Sequence, residues 1–387
     1  MNLEELTNRF IALYGSSDES LRIYFSPGRV NLIGEHTDYN GGFVFPCALS
    51  FGTYLLARKN NGRKLALATT NFDHRMEINL DKPFEKEGNA WINYPVGVVN
   101  EFRKLAREIT GLDLLFSGDI PNGAGLSSSA SIEMVTAYAL NDMFGFGFDK
   151  WELVKLGQRA ENLFVGVNCG IMDQFASCMG KKDHALFLNC DTLDYQTVPL
   201  ELDGMKIVIA NTNKRRGLAD SKYNERRAQC DAAVESLRKV RNIRFLSDLN
   251  LDEFNEYASH ITDETIRRRA RHVISENDRT LRAIDELNAG NIEAFGRLMN
   301  QSHDSLRDDY EVTGRELDTL VEEARKIEGT IGSRMTGAGF GGCTVSIVKE
   351  DAIEEFTVKV GKGYHDKTGL KADFYIAEIG DGSKRIQ

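Results

Sequence analysis

The chain has 387 residues, with 48 basic against 58 acidic side chains and a net charge of −10. That acidic balance argues against non-specific binding to nucleic acid or to an anionic membrane surface. Apolar residues at 41% and charged residues at 27% are ordinary for a globular chain long enough to build two cores.

In chain order, residues 1–15 read as a short amphipathic helix, charged at Glu4, Glu5 and Arg9 and unlike a signal peptide. Residues 21–25 read as a strand that enters a polar run, Ser26 to Gly42. Asn40-Gly41-Gly42 is a hairpin signal, with residues 43–50 as the returning strand. Residues 51–59 and 64–70, joined at Asn60-Asn61-Gly62, read as a second hairpin. A helix is predicted over 91–109, a strand over 112–117, a glycine- and serine-rich loop over 121–131 and a helix over 132–144. Residues 151–164 and 171–179 read as helices around a loop at 165–170, and 185–189 as a strand. The pattern shifts near 192–204, which divides the chain into 1–195 and 196–387. A strand at 205–211 precedes nearly continuous helix-forming sequence from 219 to 326. A glycine-rich run at 331–342, a strand at 343–348, a helix at 352–360 and a strand at 373–379 complete the pass. Helices mixed with strands that neighbour each other in sequence favour an α+β architecture over a doubly wound sheet.

No stretch of about 18 apolar residues occurs, so no bilayer-spanning helix is expected. The six cysteines form no CxxC pair, so neither a zinc ribbon nor a redox pair is suggested, and reduced thiols in a cytoplasm are expected. No cluster has structural-metal spacing. The basic run Arg267 to Arg271 with His272 reads as a solvated helix face rather than a nucleic-acid contact, since no aromatic residues interleave it.

Three segments carry chemistry. The first holds Arg29, Glu35, His36 and Asp38 within ten residues on a turn rich in glycine. A carboxylate accepts from two hydroxyls and an imidazole donates or accepts, which suits a small polyhydroxylated molecule; a solvated strand-to-turn connection is the alternative. The second, Gly123 to Ser131, brings three serines into a helix start, where unpaired N–H groups favour an anion. It lacks the lysine of a Walker A loop and the third glycine of a dinucleotide fingerprint; a serine-rich cap is the alternative. The third, Asn168 to Gln174, places Asp173 in a first helical turn, as a reactive carboxylate or as a complement to the helix dipole.

Gly28 to Tyr39, reading Gly-Arg-Val-Asn-Leu-Ile-Gly-Glu-His-Thr-Asp-Tyr, resembles the sugar-binding signature of galactokinases, which share a superfamily with homoserine, mevalonate and phosphomevalonate kinases. Pro-x-Gly-x-Gly-Leu-Ser-Ser-Ser-Ala at 121–130 resembles that superfamily's nucleotide loop. Cys-Gly-x-Met-Asp-Gln at 169–174 matches the segment carrying the catalytic aspartate, and Gly337 to Cys343 the third superfamily motif. The resemblance implies an N-terminal domain like the second domain of ribosomal protein S5 and a ferredoxin-like C-terminal domain, with the site between them.

It also implies transfer of the γ-phosphoryl group of MgATP to the C1 hydroxyl of α-D-galactose, the entry step of the Leloir pathway. Asp173 and Arg29 would be catalytic. Glu35, His36, Thr37, Asp38, Gly170 and Tyr223 would meet the sugar. Gly123, Ala124, Gly125, Leu126, Ser127, Ser128 and Ser129 would wrap the triphosphate, with Thr69 touching the nucleotide and Ser129 and Glu161 holding Mg²⁺. An aspartate beside an arginine is a weak base, but a loose phosphoryl-transfer transition state needs little activation of the nucleophile. The expected partners are galactose and ATP, with no nucleic acid or membrane, in a monomer or weak homo-oligomer. A non-catalytic sugar sensor on this scaffold, or a kinase for N-acetylgalactosamine or another C1-hydroxyl sugar, are the alternatives.

Overall fold

The structure, a computed structural model, describes residues 2–60, 62–121, 124–200, 202–214 and 219–387. Asn61 and Gly123, part of two of the predicted features, lie outside the described residues.

The first half runs α1 (Leu3–Tyr14), β1 (Arg22–Asn31), β2 (Phe43–Val44), β3 (Pro46–Lys59), β4 (Lys64–Thr69), β5 (Arg75–Asn79), α2 (Asn93–Lys104), β6 (Leu112–Gly118), α3 (Ser128–Phe144), α4 (Lys150–Ala160), α5 (Met172–Met179), β7 (His184–Asn189) and β8 (Tyr195–Pro199). The second half runs β9 (Met205–Asn211), α6 (Ala219–Leu237), α7 (Leu251–Tyr257), α8 (Glu264–Asn288), α9 (Ile292–Ser305), α10 (Arg315–Ala324), β10 (Thr330–Thr336), β11 (Cys343–Lys349), α11 (Ile353–Thr368), β12 (Asp373–Ala377) and β13 (Lys384–Arg385).

A six-stranded sheet has the order β13-β1-β3-β6-β4-β5, a four-stranded antiparallel sheet the order β10-β11-β9-β12, and a small sheet the order β2-β7-β8. The α+β expectation holds. Strand alternation explains the layers. In the large sheet Leu55, Leu114 and Phe116 join the core built with α2 to α5, while Leu56 and Leu115 face Leu6 and Phe10 of α1. In the four-stranded sheet Ile207, Ile209 and Val345 pack with Phe295 and Met299 of α9, while Val208 and Ala210 pack with Leu320, Phe356 and Tyr364. The α9-side core also takes in Val30, Leu32, Ile33 and Phe45. The polar run of residues 26–42 is thus anchored by its apolar residues in a core shared between the two halves.

The second predicted hairpin does not form. β6 lies between β3 and β4, and β4 runs parallel to β6. The leucine-rich β6 is buried on both faces, which a central position satisfies and an edge does not. The first hairpin is split: β2 pairs with β7, while β3 returns against β1, with Asn31 opposite Pro46 and Arg29 opposite Ala48. Residues 331–336 of the glycine-rich run belong to strand β10. The basic run 267–271 is not wholly solvated: Arg269 is buried and bonds the Asp309 carbonyl and the Glu311 carboxylate, and His272 is buried beside it.

Candidate active site

The three chemistry-bearing segments meet at one cleft of about 350 Å³. Its walls include Arg29, Glu35, His36 and Asp38 from the polar run, Gly125 and Ser127 to Ser129 from the start of α3, Glu161 after α4, Gly170 and Asp173 at α5, and Tyr223 of α6 with Gly337 from the second half. Thr69, at the end of β4, lines the same cleft.

Arg29 and Asp173 form its centre. The Arg29 guanidinium donates from Nε to Asp173 Oδ1 at 2.8 Å and from Nη2 to Oδ2 at 2.7 Å, a bidentate pair. Its Nη1 donates to the Gly125 carbonyl at 2.9 Å, and the Arg29 backbone N–H to the Leu126 carbonyl at 3.1 Å. Burial opposes the Arg29 charge, yet Asp173, Glu35 and Asp38 hold its pKa above the ordinary value. Ser127 sits at the N-cap of α3 but does not cap it; its hydroxyl donates to Asp173 Oδ2 at 2.5 Å. Its φ of +61° is a left-handed geometry uncommon outside glycine, and that turn aims the hydroxyl sideways. The leading N–H groups of α3 have no in-helix acceptor and start in the cleft wall, as an anion site requires.

The predicted sugar-contacting residues gather on the other side. His36 also has a left-handed backbone, φ +64°. Its Nδ1 pairs with the Tyr39 hydroxyl at 2.8 Å, and Tyr39 continues to the Tyr310 hydroxyl at 2.7 Å. Burial, then His272 and Arg226, pushes His36 down to about 3, so the ring is neutral. Its buried Nε2 has no hydrogen-bond partner among the described residues. Burial, then Asp173, pushes Asp38 up to about 7, although the backbone N–H groups of Tyr39 and Met172 favour its charged form. Its carboxylate rests on Gly170, where a Cβ would lie 1.8 Å from Oδ2. That close approach is why glycine stands there. Tyr223 packs against His36 with its ring tilted by 41° and the centroids 5.6 Å apart.

Glu161 opens a π-helical turn, Glu161–Val165, a geometry common at functional sites. It is buried and accepts from Gln174 at 2.6 Å; burial, then Asp173, raises it to about 7, while Cys169, Gln174 and the nearby Ser129 hydroxyl favour its charged form. Gln174 also donates to Glu133 at 2.9 Å. An all-oxygen donor set from a hydroxyl and a carboxylate beside a helix start fits a hard divalent cation.

Some predicted residues lie elsewhere. Thr37 is buried and spends its hydroxyl on the Gly34 and Phe43 carbonyls, shaping the turn rather than lining the cleft. Ala124 and Leu126 are buried in the shared core, so only their backbone is available to a ligand. Gly337 comes close to the phosphate loop: a Cβ there would meet the Gly125 carbonyl at 2.8 Å. Sequence reasoning missed the apolar end of the cleft, made by Phe72, Trp91, Phe116 and Ile132. Isolated aromatics on three separate elements carry no motif. It also missed Arg334, whose ion pair with Glu35 is 3.0 Å long and fully buried.

Known proteins resemble this chain along its whole length. Residues 8–59 match the galactokinase galactose-binding signature, 93–181 the GHMP kinase N-terminal domain and 283–366 the GHMP kinase C-terminal domain. A galactokinase of Fusobacterium nucleatum is 55% identical over 100% of both chains, and one of Bacillus subtilis 52% identical over 99% of both. A Lactococcus lactis galactokinase, solved in complex with galactose, superposes with a TM-score of 0.97 at 46% identity over 99% of both chains. A mevalonate kinase of Methanococcus jannaschii shares the fold alone, with a TM-score of 0.63 at 20% identity over 95% of this chain and 100% of its own. By full-length identity, by its signature segment and by its fold, the chain belongs to the galactokinase family of the GHMP kinases.

Proposed function

We propose that the chain is a galactokinase, transferring the γ-phosphoryl group of ATP to the C1 hydroxyl of α-D-galactose. The observation that carries this reading is the bidentate Arg29–Asp173 pair, which stands between the hydroxyl-binding groups of residues 35–38 and the anion-binding start of α3.

The residues divide the work. Glu35, His36 and Asp38 present acceptors and an imidazole to sugar hydroxyls. Asp173 accepts the hydrogen bond of the attacking hydroxyl and takes its proton late, which a loose transition state allows. Arg29 holds that carboxylate in one orientation and offsets negative charge building on the transferred group. Gly125 to Ser129 offer backbone N–H groups and hydroxyls to the triphosphate. The apolar end at Phe72 and Trp91 suits a nucleobase, and Thr69 stands on that side of the cleft. Ser129 and Glu161 would hold Mg²⁺, which when bound neutralises phosphate charge.

The same reading takes the first unit to end near residue 195, with the cleft between two domains. The described residues include no helix long and apolar enough to cross a membrane, and the six cysteines are unbridged, which supports a cytoplasmic enzyme. A coupled assay of ADP release over a panel of sugars tests the activity. Galactose-dependent turnover with the highest kcat/KM of the panel is expected. Binding without turnover would make the chain a sensor, and a higher kcat/KM for N-acetylgalactosamine would change the substrate.

A further inference from the structure

The sugar-binding turn is closed locally by Thr37, but that is not its only support. Its backbone is gripped from α8, more than 200 residues later. Glu276 is fully buried, and its Oε1 accepts from the backbone N–H of Gly34 at 3.0 Å and of Glu35 at 3.2 Å. The same oxygen accepts from the Ser302 hydroxyl at 2.5 Å, while Oε2 takes the Arg279 guanidinium at 2.8 Å. One turn earlier on the same helix face, His272 Nε2 meets the Glu35 carbonyl at 3.1 Å and Nδ1 meets the Ser305 hydroxyl at 2.9 Å. A carbonyl only accepts, so Nε2 carries the proton and the ring tautomer is set.

The Glu35 side chain is held in turn by Arg334 of β10, whose Nη1 also donates to the Asn31 carbonyl at 2.8 Å and whose Nε reaches Ser302. Burial opposes charge on Glu276, but Arg279, His272 and Arg334 outweigh it and hold its pKa at about 2, so the carboxylate that receives the two amides is ionised. Beyond residue 35 the chain enters the left-handed turn at His36, so the direction of that turn follows from how Gly34 and Glu35 are fixed.

We propose that Glu276 is a positioning residue for sugar binding: by accepting the two consecutive backbone N–H groups of Gly34 and Glu35 it presets the Glu35 and His36 side chains in the cleft without touching the substrate. This rests on the assignment of Glu35 and His36 to the sugar. It places control of the sugar turn in the second half of the chain, while the phosphate loop and Asp173 belong to the first.

Two variants test it. Glu276→Gln removes the charge. Glu276→Asp keeps the charge and the pairing with Arg279 but withdraws the oxygen from the loop, which keeps the test informative if the first variant folds poorly. With displacements of this kind costing about tenfold to a hundredfold, KM for galactose should rise by that factor in Glu276→Asp, with KM for ATP unchanged. The thermal shift produced by galactose should shrink while that produced by MgATP persists. Combined with Glu35→Gln, the effects on galactose KM should be clearly less than additive, because both act through one side chain. Parallel loss of galactose and ATP parameters, additive effects, or an unchanged galactose KM in both variants would overturn the positioning role. A wild-type chain with no galactose-dependent shift at all would overturn the sugar assignment and this inference with it.

Discussion

Asp38 lies directly over the α-carbon of Gly170, so close that a methyl group on Gly170 would sit 1.8 Å from one carboxylate oxygen and 2.2 Å from the carboxyl carbon. The two residues are far apart in the sequence, and both line the cleft, on the side proposed for the sugar. Gly170→Ala must push Asp38 aside. Overpacking of this kind costs about 1–3 kcal/mol, so KM for galactose should rise about tenfold or more, with KM for ATP unaffected. Equal loss of both would mean that the substitution acts on the fold and not on the sugar side.

Asp38 also gives the site a pH dependence. Burial, then Asp173, raises it to about 7, above the value of about 3.9 in an unfolded chain. Between those values the native state binds a proton that the unfolded state has released. The stability contributed by the neutral form is therefore complete below about pH 4 and lost as pH rises through about 7. Asp38→Asn should raise Tm relative to wild type more at about pH 8 than at about pH 5. Galactose binding runs the other way, since the ionised carboxylate is the better acceptor: wild-type kcat/KM for galactose should climb through about pH 7, and the variant should lose both affinity and slope. A Tm difference independent of pH would refute the assignment of that titration to Asp38.

Phe72 is 47% exposed at the apolar end of the cleft, so truncating it removes a ligand surface with little cost to the core. Stacking on an aromatic ring is worth about 1–3 kcal/mol per base. Phe72→Ala should therefore raise KM for ATP several-fold or more, leaving KM for galactose and Tm near wild type. An unchanged KM for ATP would move the nucleobase elsewhere.

The site residues that were legible in the sequence are those whose geometry is local. Arg29, at the end of β1, and Glu35 to Asp38 in the turn after it fall within ten residues, so spacing marked them as a polar cluster, while Gly170 and Asp173 at one helix start were singled out through the resemblance. The resemblance to galactokinases supplied roles that charge and spacing left open. What the sequence hid was set by distant pairing. The insertion of β6 between β3 and β4 depends on which strand needs two buried faces, and the return of Lys384–Arg385 to the edge of β1 has no local signal in two residues. Glu276, Arg334 and Arg269 looked like ordinary charges because burial of an ion is visible only once its partners are in place. Thr37 shows the converse: it lies inside the motif, yet its hydroxyl closes the turn.

The central claim is that Asp173, oriented by Arg29 and Ser127, acts on the attacking hydroxyl and not on the nucleotide. The most direct measurement is the single-turnover rate of phosphoryl transfer in Asp173→Asn at saturating galactose and MgATP, together with the Kd of the variant for ATP. The expected result is a rate lower by about a hundredfold or more with ATP binding within about twofold of wild type. A rate within a few-fold of wild type would contradict the claim.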